Sequence, residues 1–251
     1  MLHQFSRNEL AIGKEGLQLM KDATVAVLGI GGVGSFTVEA LARSGVGRII
    51  LIDKDDVDIT NINRQLHSLL STVGQSKVDV MAERVHDINP ECEVIRLKMF
   101  YTEETYERLF QYELDYVIDA SDTISYKIHL IKQCIDRDIY IISSMGAANK
   151  TDPTQFEIAN IFDTSYDPMA RVIRNRLRKD GYKQGVPVVY SKEKPIRIRE
   201  HIRQAITPDD PKTRKSEQPP SSNAFVPSVS GLIMASHVVN TILEPIDIER
   251  Y

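Results

Sequence analysis

Short apolar runs alternate with helix-length segments over the first 150 residues, and this alternation restricts the chain to few folds. The runs occupy residues 24–29, 48–53, 93–97, 115–120 and 139–143, and the segments with helical spacing occupy residues 35–43, 77–89, 102–112 and 125–137. Buried parallel strands are continuous apolar runs, and each needs a crossover of helix length to reach the next. We therefore predict an α/β fold with a Rossmann-like, doubly wound and mainly parallel sheet.

A glycine cluster follows the first predicted strand. Residues 29–35 read Gly-Ile-Gly-Gly-Val-Gly-Ser, which matches the G-x-G-x-x-G pattern between a strand and a helix. Glycines let the backbone approach a phosphate closely, and the helix N-terminus supplies unpaired N–H donors. Asp53 ends the next strand, where a carboxylate can accept hydrogen bonds from ribose hydroxyls. The candidates for a nucleotide site are therefore Gly29, Gly31, Gly32, Gly34, Ser35 and Asp53.

The polar residues that follow favour a nucleoside triphosphate over NAD, the commonest ligand of such loops. They are Asp55, Asn61, Arg64, Gln65, Lys77 and Asp122. An arginine and a lysine can neutralise the charge of a reacting phosphate. Asp122 follows a later strand at the carboxyl edge of the sheet, where a carboxylate can bind Mg²⁺.

Simpler interpretations stay open for each of these side chains taken alone. Arg64 and Lys77 could be solvated surface charges, and Asp122 could cap the helix that follows it. An NAD-dependent oxidoreductase would leave Arg64 and Lys77 unexplained. A non-catalytic nucleotide sensor would tolerate the loss of Arg64 and Asp122.

The order of these motifs resembles the ubiquitin-activating-enzyme-like superfamily of ThiF, MoeB and HesA proteins. The matching parts are residues 29–35, Asp53 with Asp55, the N-x-x-R-Q element at 61–65, the V-G-x-x-K element at 73–77, and Asp122. The resemblance implies ATP as a substrate, adenylation of a carboxylate, and catalytic roles for Arg64, Lys77 and Asp122, with Mg²⁺ at Asp122. It also implies a homodimer in which Arg7, on the N-terminal arm, reaches the partner's site.

Further stretches resemble one branch of that superfamily, which dehydrates threonylcarbamoyladenosine beside the anticodon of tRNA. They lie at residues 30–35, 39–45, 80–84, 88–92 and 152–155. In that branch the threonyl carboxylate is adenylated, and the neighbouring carbamoyl group closes a ring as AMP leaves. One departure is Gln4, which stands where an arginine is frequent at the start of the arm.

The alternative within the superfamily is adenylation of the C-terminus of a ubiquitin-like sulfur carrier. Those members usually bind zinc through two CxxC pairs, whereas this chain has two cysteines, Cys92 and Cys134, and no CxxC. We therefore expect no zinc and no thiol relay. A sulfur-transfer partner protein and a bound monovalent cation stay open.

The second part of the chain is predicted to complete the sheet and form the substrate side. Strands are expected at 155–161, 186–190 and 196–198, a basic helix at 168–179, and a mobile loop at 207–223, which is rich in Pro, Ser, Asp and Lys. Residues 1–150 would thus bind ATP and residues 151–251 the tRNA. The basic residues that could contact RNA phosphates are Arg171, Arg174, Arg176, Arg178, Lys179, Lys183, Lys192, Lys194, Arg197, Arg199 and Arg203. Three tyrosines, Tyr166, Tyr182 and Tyr190, could stack on bases.

Composition and the chain ends indicate a cytoplasmic protein. The N-terminus lacks the apolar stretch of a signal peptide, and two distant cysteines fit a reducing compartment. The net charge of −4 shows no whole-chain preference for a polyanion. Residues 224–243 are apolar but interrupted by polar residues, so we predict a buried helix, with membrane contact as the alternative.

Overall fold

The computed structural model of the protein describes residues 2–206 and 219–248 and contains a seven-stranded sheet. The strands are β1 (Thr24–Leu28), β2 (Arg48–Ile52), β3 (Glu93–Leu97), β4 (Tyr116–Asp119), β5 (Tyr140–Ser144), β6 (Phe156–Asn160) and β7 (Pro187–Ser191). Their order is β3-β2-β1-β4-β5-β7-β6, and the pairs are parallel except for antiparallel β6 and β7. The predicted mainly parallel, doubly wound sheet is confirmed.

Helices cover both faces of this sheet. They are α1 (Ser6–Asp22), α2 (Gly34–Ser44), α3 (Lys77–Ile88), α4 (Glu107–Phe110), α5 (Ile124–Asp136), α6 (Pro168–Lys179), α7 (Glu200–Ile206) and α8 (Val226–Ile242). Side chains alternate along a strand, so Val25 and Val27 of β1 join a core with α1, α2, α3 and α8. Ala26 and Leu28 join the opposite core with α4, α5 and α6.

Four segments differ from the sequence prediction. The helix expected at 102–112 shrinks to α4, because Thr102 and Thr105 hydrogen-bond in a turn: the Thr102 N–H donates to Thr105 Oγ1 at 2.9 Å. Residues 196–198 are not a strand, and the Ile196 N–H instead donates to the Asn149 carbonyl at 2.8 Å. The helices α1 and α7 had no counterpart in the prediction. Of the predicted mobile loop, 207–218 lies outside the described residues.

Helix α8 is the buried helix expected from the sequence. It crosses α2 so closely that a Cβ on Gly231 would lie 2.3 Å from the Val33 carbonyl oxygen. Thr37 Oγ1 donates to the Gly231 carbonyl at 3.1 Å. In residues 2–206 and 219–248, no helix is long and apolar enough to cross a membrane.

Candidate active site

A cavity of about 550 Å³ lies at the carboxyl ends of β1, β2, β4 and β5. This is where ligands bind in doubly wound sheets, at the point where the strand order reverses. Most of the site residues predicted from sequence line it: Gly29, Gly31, Gly32, Asp53, Asp55, Asn61, Arg64, Gln65, Lys77 and Asp122. Folding thus brings together residues from five separate parts of the first 125 positions.

The glycine loop presents backbone donors to this cavity. Gly29 has φ +88°, and a Cβ there would lie 2.8 Å from the Ala120 carbonyl oxygen, so the position favours glycine. The Ile30 N–H donates to Asp53 Oδ2 at 2.7 Å. The next three N–H groups, of Gly31, Gly32 and Val33, have no acceptor among the described residues. They are therefore available to phosphate oxygens.

Gly34 and Ser35 pack behind the glycine loop and are not among the residues that line the cavity. Both are buried at the start of α2. Ser35 Oγ accepts a hydrogen bond from the Leu66 N–H at 3.2 Å, which joins the glycine loop to the segment carrying Arg64 and Gln65.

The loop glycines should therefore respond differently to alanine. A Cβ on Gly34 would lie 1.8 Å from the Gly29 carbonyl oxygen, whereas a Cβ on Gly31 would meet only Gln65 Nε2, at 3.9 Å. We expect Gly34→Ala to lower the free energy of unfolding by about 3 kcal/mol, because the backbone must shift. Gly31→Ala should unfold like the wild type but bind ATP more weakly. Urea unfolding and nucleotide titration check both, and equal stability of the two variants would contradict this account.

Two of the cavity's carboxylates are already engaged by protein groups. Asp53 accepts from Ile30 N with one oxygen and from Asp55 N at 2.9 Å with the other. Asp55 pairs with Lys54 at 2.9 Å and with Lys77 at 3.4 Å. Burial alone would raise the pKa of Asp55, but the hydrogen bond from Lys54 and the charge of Lys77 lower it. Asp53 and Asp55 thus hold the loop and orient the lysines.

The third carboxylate, Asp122, is exposed at the cavity. Its one hydrogen bond among the described residues comes from Thr123 Oγ1, at 3.3 Å. The alternative role as a helix cap is absent within these residues, because α5 has no side-chain hydrogen bond at its N-terminus. The Asp122 carboxylate is therefore open to the cavity.

A buried ion pair lies under the turn that carries Asp122. Lys127 and Asp119 are fully buried, with Nζ 2.9 Å from Asp119 Oδ2. Ser143 Oγ donates to the same oxygen at 2.7 Å, and Ser121 donates to Oδ1 through its N–H at 3.1 Å and its hydroxyl at 2.7 Å. Asp119 therefore fixes the turn at Ser121 and Asp122.

The positive and amide side chains line the cavity on the segment after β2 and at the start of α3. Lys77 is 6% exposed. Arg64 donates to the Thr60 carbonyl at 2.7 Å, and partial burial lowers the pKa of its guanidinium, which stays charged. Gln65 is also buried, and its Oε1 has no partner among the described residues. A buried amide oxygen without a partner fits a site that is completed by a ligand.

Sequence reasoning missed the wall formed by residues 145–148 and 220–227. Asn149, with φ +58°, exchanges hydrogen bonds with Ser221: Asn149 N donates to the Ser221 carbonyl at 2.9 Å, and Ser221 N donates to Asn149 Oδ1 at 2.9 Å. Asn63 Nδ2 donates to the Ser222 carbonyl at 3.1 Å. These bonds hold the wall in place, and Pro227 at its end lies beside the glycine loop, 3.2 Å from the position of a Cβ on Gly32. Asn149 in a Gly-Ala-Ala-Asn turn was the available signal, since asparagine adopts positive φ more readily than most residues.

Aromatic residues also form part of the rim. Phe100 and Tyr126 pack edge to face with ring centroids 4.9 Å apart, and Lys54 Nζ lies 5.2 Å from the Phe100 centroid. All three line the cavity. The two aromatic rings give the cavity an apolar side.

Arg7 lies outside this cavity. It is exposed on the first turn of α1. Its role in a partner's site remains a prediction.

A buried histidine, His67, lies near Lys77 and Arg84. Both ring nitrogens of His67 are buried without partners among the described residues. Burial, with smaller contributions from Lys77 and Arg84, lowers the pKa of His67 to about 4. The ring is therefore neutral at pH 7.

This histidine should make stability depend on pH. Its pKa is about 4 in the folded state and about 6.5 when unfolded, so the unfolded state binds more protons between these values. We expect the free energy of unfolding to fall by about 3 kcal/mol more in the wild type than in His67→Gln as the pH falls from 7 to 4. Urea unfolding of both proteins across this range measures the difference, and parallel pH profiles would contradict it.

The match to known proteins covers the whole of this architecture. The chain belongs to the ThiF family, whose model matches residues 5–250. It is 70% identical over 250 residues to the tRNA threonylcarbamoyladenosine dehydratase of Bacillus subtilis, covering 100% of this chain and 98% of that protein. The E. coli tRNA N6-threonylcarbamoyladenosine dehydratase solved in complex with ATP superposes with a TM-score of 0.84 at 35% identity, over 96% of this chain and 94% of that one. Its complex with AMP gives a TM-score of 0.83 over the same shares.

Proposed function

We propose that this protein is an ATP-dependent tRNA threonylcarbamoyladenosine dehydratase. The observation that carries the proposal is the cavity that joins unpaired loop N–H groups, Arg64, Lys77 and Asp122, in a chain that matches such dehydratases over its full length. The similar dehydratases support the proposed substrate class, and the residues of the cavity support the proposed reaction of ATP.

The first step joins the substrate carboxylate to AMP. A carboxylate oxygen of the threonyl group attacks the α-phosphorus of ATP, and pyrophosphate leaves. Negative charge grows on the phosphate oxygens, where Arg64, Lys77 and the N–H groups of Gly31 and Gly32 stabilise it. Asp53 would accept hydrogen bonds from the ribose with its remaining lone pairs, and Asn61 and Gln65 would supply further polar contacts, since all three line the cavity.

The second step closes a ring within the substrate. The carbamoyl group attacks the activated carbonyl carbon and loses a proton, and AMP leaves with the carboxylate oxygen. The net change is loss of one water from the nucleoside as ATP becomes AMP and pyrophosphate. Since the nucleophile belongs to the substrate, no enzyme thiol is needed.

The cavity residues fit one Mg²⁺ ion held with the triphosphate. Asp122 is the residue that would bind it, because Asp53 and Asp55 are engaged by backbone N–H groups and lysines. When bound, the ion would neutralise phosphate charge. A bound monovalent cation stays a further proposal without an assigned ligand set.

The two cysteines argue against the sulfur-carrier alternative. Cys92 and Cys134 are buried and unpaired, and burial raises the pKa of Cys92 to about 12 and that of Cys134 further. Both therefore stay protonated thiols, and neither is among the residues that line the cavity.

We assign most of the ATP site to residues 1–150, with Met169 and residues 220–227 completing its lining, and the RNA side to the rest of 151–251. Helix α6 supports this division, because its polar face carries Arg171, Arg176, Arg178 and Lys179. A homodimer would place Arg7 of one chain at its partner's site. Exposed apolar residues suit such an interface: Leu10 is 88% exposed and Leu70 80%. A sulfur-transfer partner protein and a cytoplasmic location remain part of the proposal.

The deciding experiment measures AMP and pyrophosphate from ATP and Mg²⁺ with and without tRNA that carries threonylcarbamoyladenosine. We expect release that depends on the modified tRNA, and a nucleoside lighter by the mass of water. Exchange of pyrophosphate into ATP driven instead by a small ubiquitin-like protein would overturn the proposal in favour of carrier activation.

A further inference from the structure

An exposed tyrosine stands at the start of α6, held in an unusual backbone conformation. Tyr166 is 74% exposed and has φ +59°. The Asp167 N–H donates across it to the Ser165 carbonyl at 2.7 Å, which closes a three-residue turn. Positive φ in such a turn is costly for a residue with a side chain, so the surroundings must hold it.

The residue after the tyrosine supplies that support. Asp167 is 4% exposed, and its Oδ1 caps α6 by accepting from the Ala170 N–H at 2.9 Å. The cap fixes where the helix begins, and the turn then directs the Tyr166 ring outward. An apolar ring held outward in this way is available to a partner.

A second cavity, of about 490 Å³, opens beside this ring. Tyr166, Arg171, Val172 and Asn175 line it. An aromatic face and a guanidinium plane are the groups on which proteins stack unpaired bases, and an amide can hydrogen-bond a base edge. The neighbouring arginines of α6 suit the phosphates that join one base to the next.

The second cavity adjoins the candidate active site through the first turn of α6. Met169 lines the active-site cavity, whereas Tyr166 and Arg171, on either side of it in sequence, line the second one. Asp167 Oδ2 lies 3.3 Å from the position of a Cβ on Gly146, which also lines the active site. The two cavities therefore share one wall.

We propose that Tyr166 and Arg171 form a subsite that stacks a base adjacent to the modified adenosine of the RNA substrate. The proposal rests on the proposed function for the identity of the RNA. In this arrangement the shared wall lies between two consecutive nucleosides. One of them reacts in the active-site cavity, and the other is held by stacking in the second cavity. The subsite would thus contribute to substrate binding and not to the chemical steps.

The test uses an RNA hairpin with the modified adenosine in its loop and the fluorescent base 2-aminopurine on its 5′ or 3′ side. We expect wild-type protein to quench one of the two probes, and Tyr166→Ala to remove the quenching and weaken the Kd for the hairpin roughly tenfold. The variant Tyr166→Trp should retain both the quenching and the wild-type affinity for the hairpin. Replacing the responding base by an abasic site should weaken wild-type binding by the same factor, with no added loss in Tyr166→Ala.

Tyr140→Ala is the matched control. Tyr140 is 66% exposed but stands at the opposite end of β5 from the cavity. The Tyr140→Ala variant should therefore bind the hairpin like the wild type. ATP titration of all variants reports whether the nucleotide site is intact.

Wild-type affinity for the hairpin in Tyr166→Ala, or the absence of quenching at both positions, would overturn the subsite. Failure of the proposed function gives a different result. In that case the wild type would release no AMP with the modified RNA, whereas the binding and quenching measurements would still decide whether the subsite exists.

Discussion

The variant Asp122→Ala should lose AMP and pyrophosphate formation by roughly 10³-fold or more while keeping its fold. Asp122 is exposed, and its one hydrogen bond among the described residues is from Thr123 Oγ1, so we expect its removal to disturb little packing. The loss would come from the Mg²⁺ ion that the carboxylate is proposed to hold beside the triphosphate. Single-turnover assays with the modified tRNA, with circular dichroism for the fold, measure both expectations.

The control for this variant is another aspartate on a loop at the same sheet edge. Asp56 is exposed and pairs with Lys98 at 2.6 Å, outside the cavity lining. Asp56→Ala should turn over normally. Normal turnover by folded Asp122→Ala would rule out the assigned role, and equal losses in both variants would show that loop charge in general matters.

Lys127→Ala should lower the free energy of unfolding by about 3–5 kcal/mol, the largest stability effect we expect from a charged residue here. The substitution leaves Asp119 as a buried charge without its cation. Lys132→Ala, one turn further along α5, breaks an ion pair with the partly exposed Asp180 and should cost less than about 1 kcal/mol. Urea unfolding compares them, and similar losses would contradict the role given to burial.

Replacing both members of the buried pair separates stability from positioning. The double variant Lys127→Met, Asp119→Leu has apolar side chains of similar size, so it should recover most of the stability lost by Lys127→Ala. Ser121 then loses its acceptor, and the turn carrying Asp122 is no longer fixed. We expect this stable variant to need more Mg²⁺ for half-maximal turnover. Wild-type Mg²⁺ dependence would show that the pair serves stability alone.

The strands and the phosphate loop could be predicted from sequence because their signals are local. An apolar run of five residues, a glycine cluster and an acidic strand end each depend on neighbours in the chain. The predicted basic helix at 168–179 likewise coincides with α6, since Pro168 and the charged face mark it. Local rules also placed Asp53 and Asp122 at one sheet edge, because parallel strands end together.

The missed parts depend on contacts between distant segments. Lys127 has the spacing of an ordinary helix residue, and only the packing of α5 on the sheet shows that its ammonium group faces Asp119. Asn149 meets Ser221 across 72 positions, so the wall they build has no local pattern.

The two backbone hydrogen bonds of Asp53 limit how the nucleotide preference of this fold could be redesigned. In Rossmann-type proteins, the acidic residue at this strand end is an obvious position to change when a different nucleotide is wanted. Here the same carboxylate holds Ile30 of the glycine loop and Asp55 of the following turn. A substitution at Asp53 would therefore displace both the N–H groups that face the phosphates and Asp55, which pairs with Lys54 and Lys77. Substitutions at Phe100 and Tyr126 are better suited to changing the nucleotide selectivity, because these rings line the rim of the cavity and do not hold the loops in position.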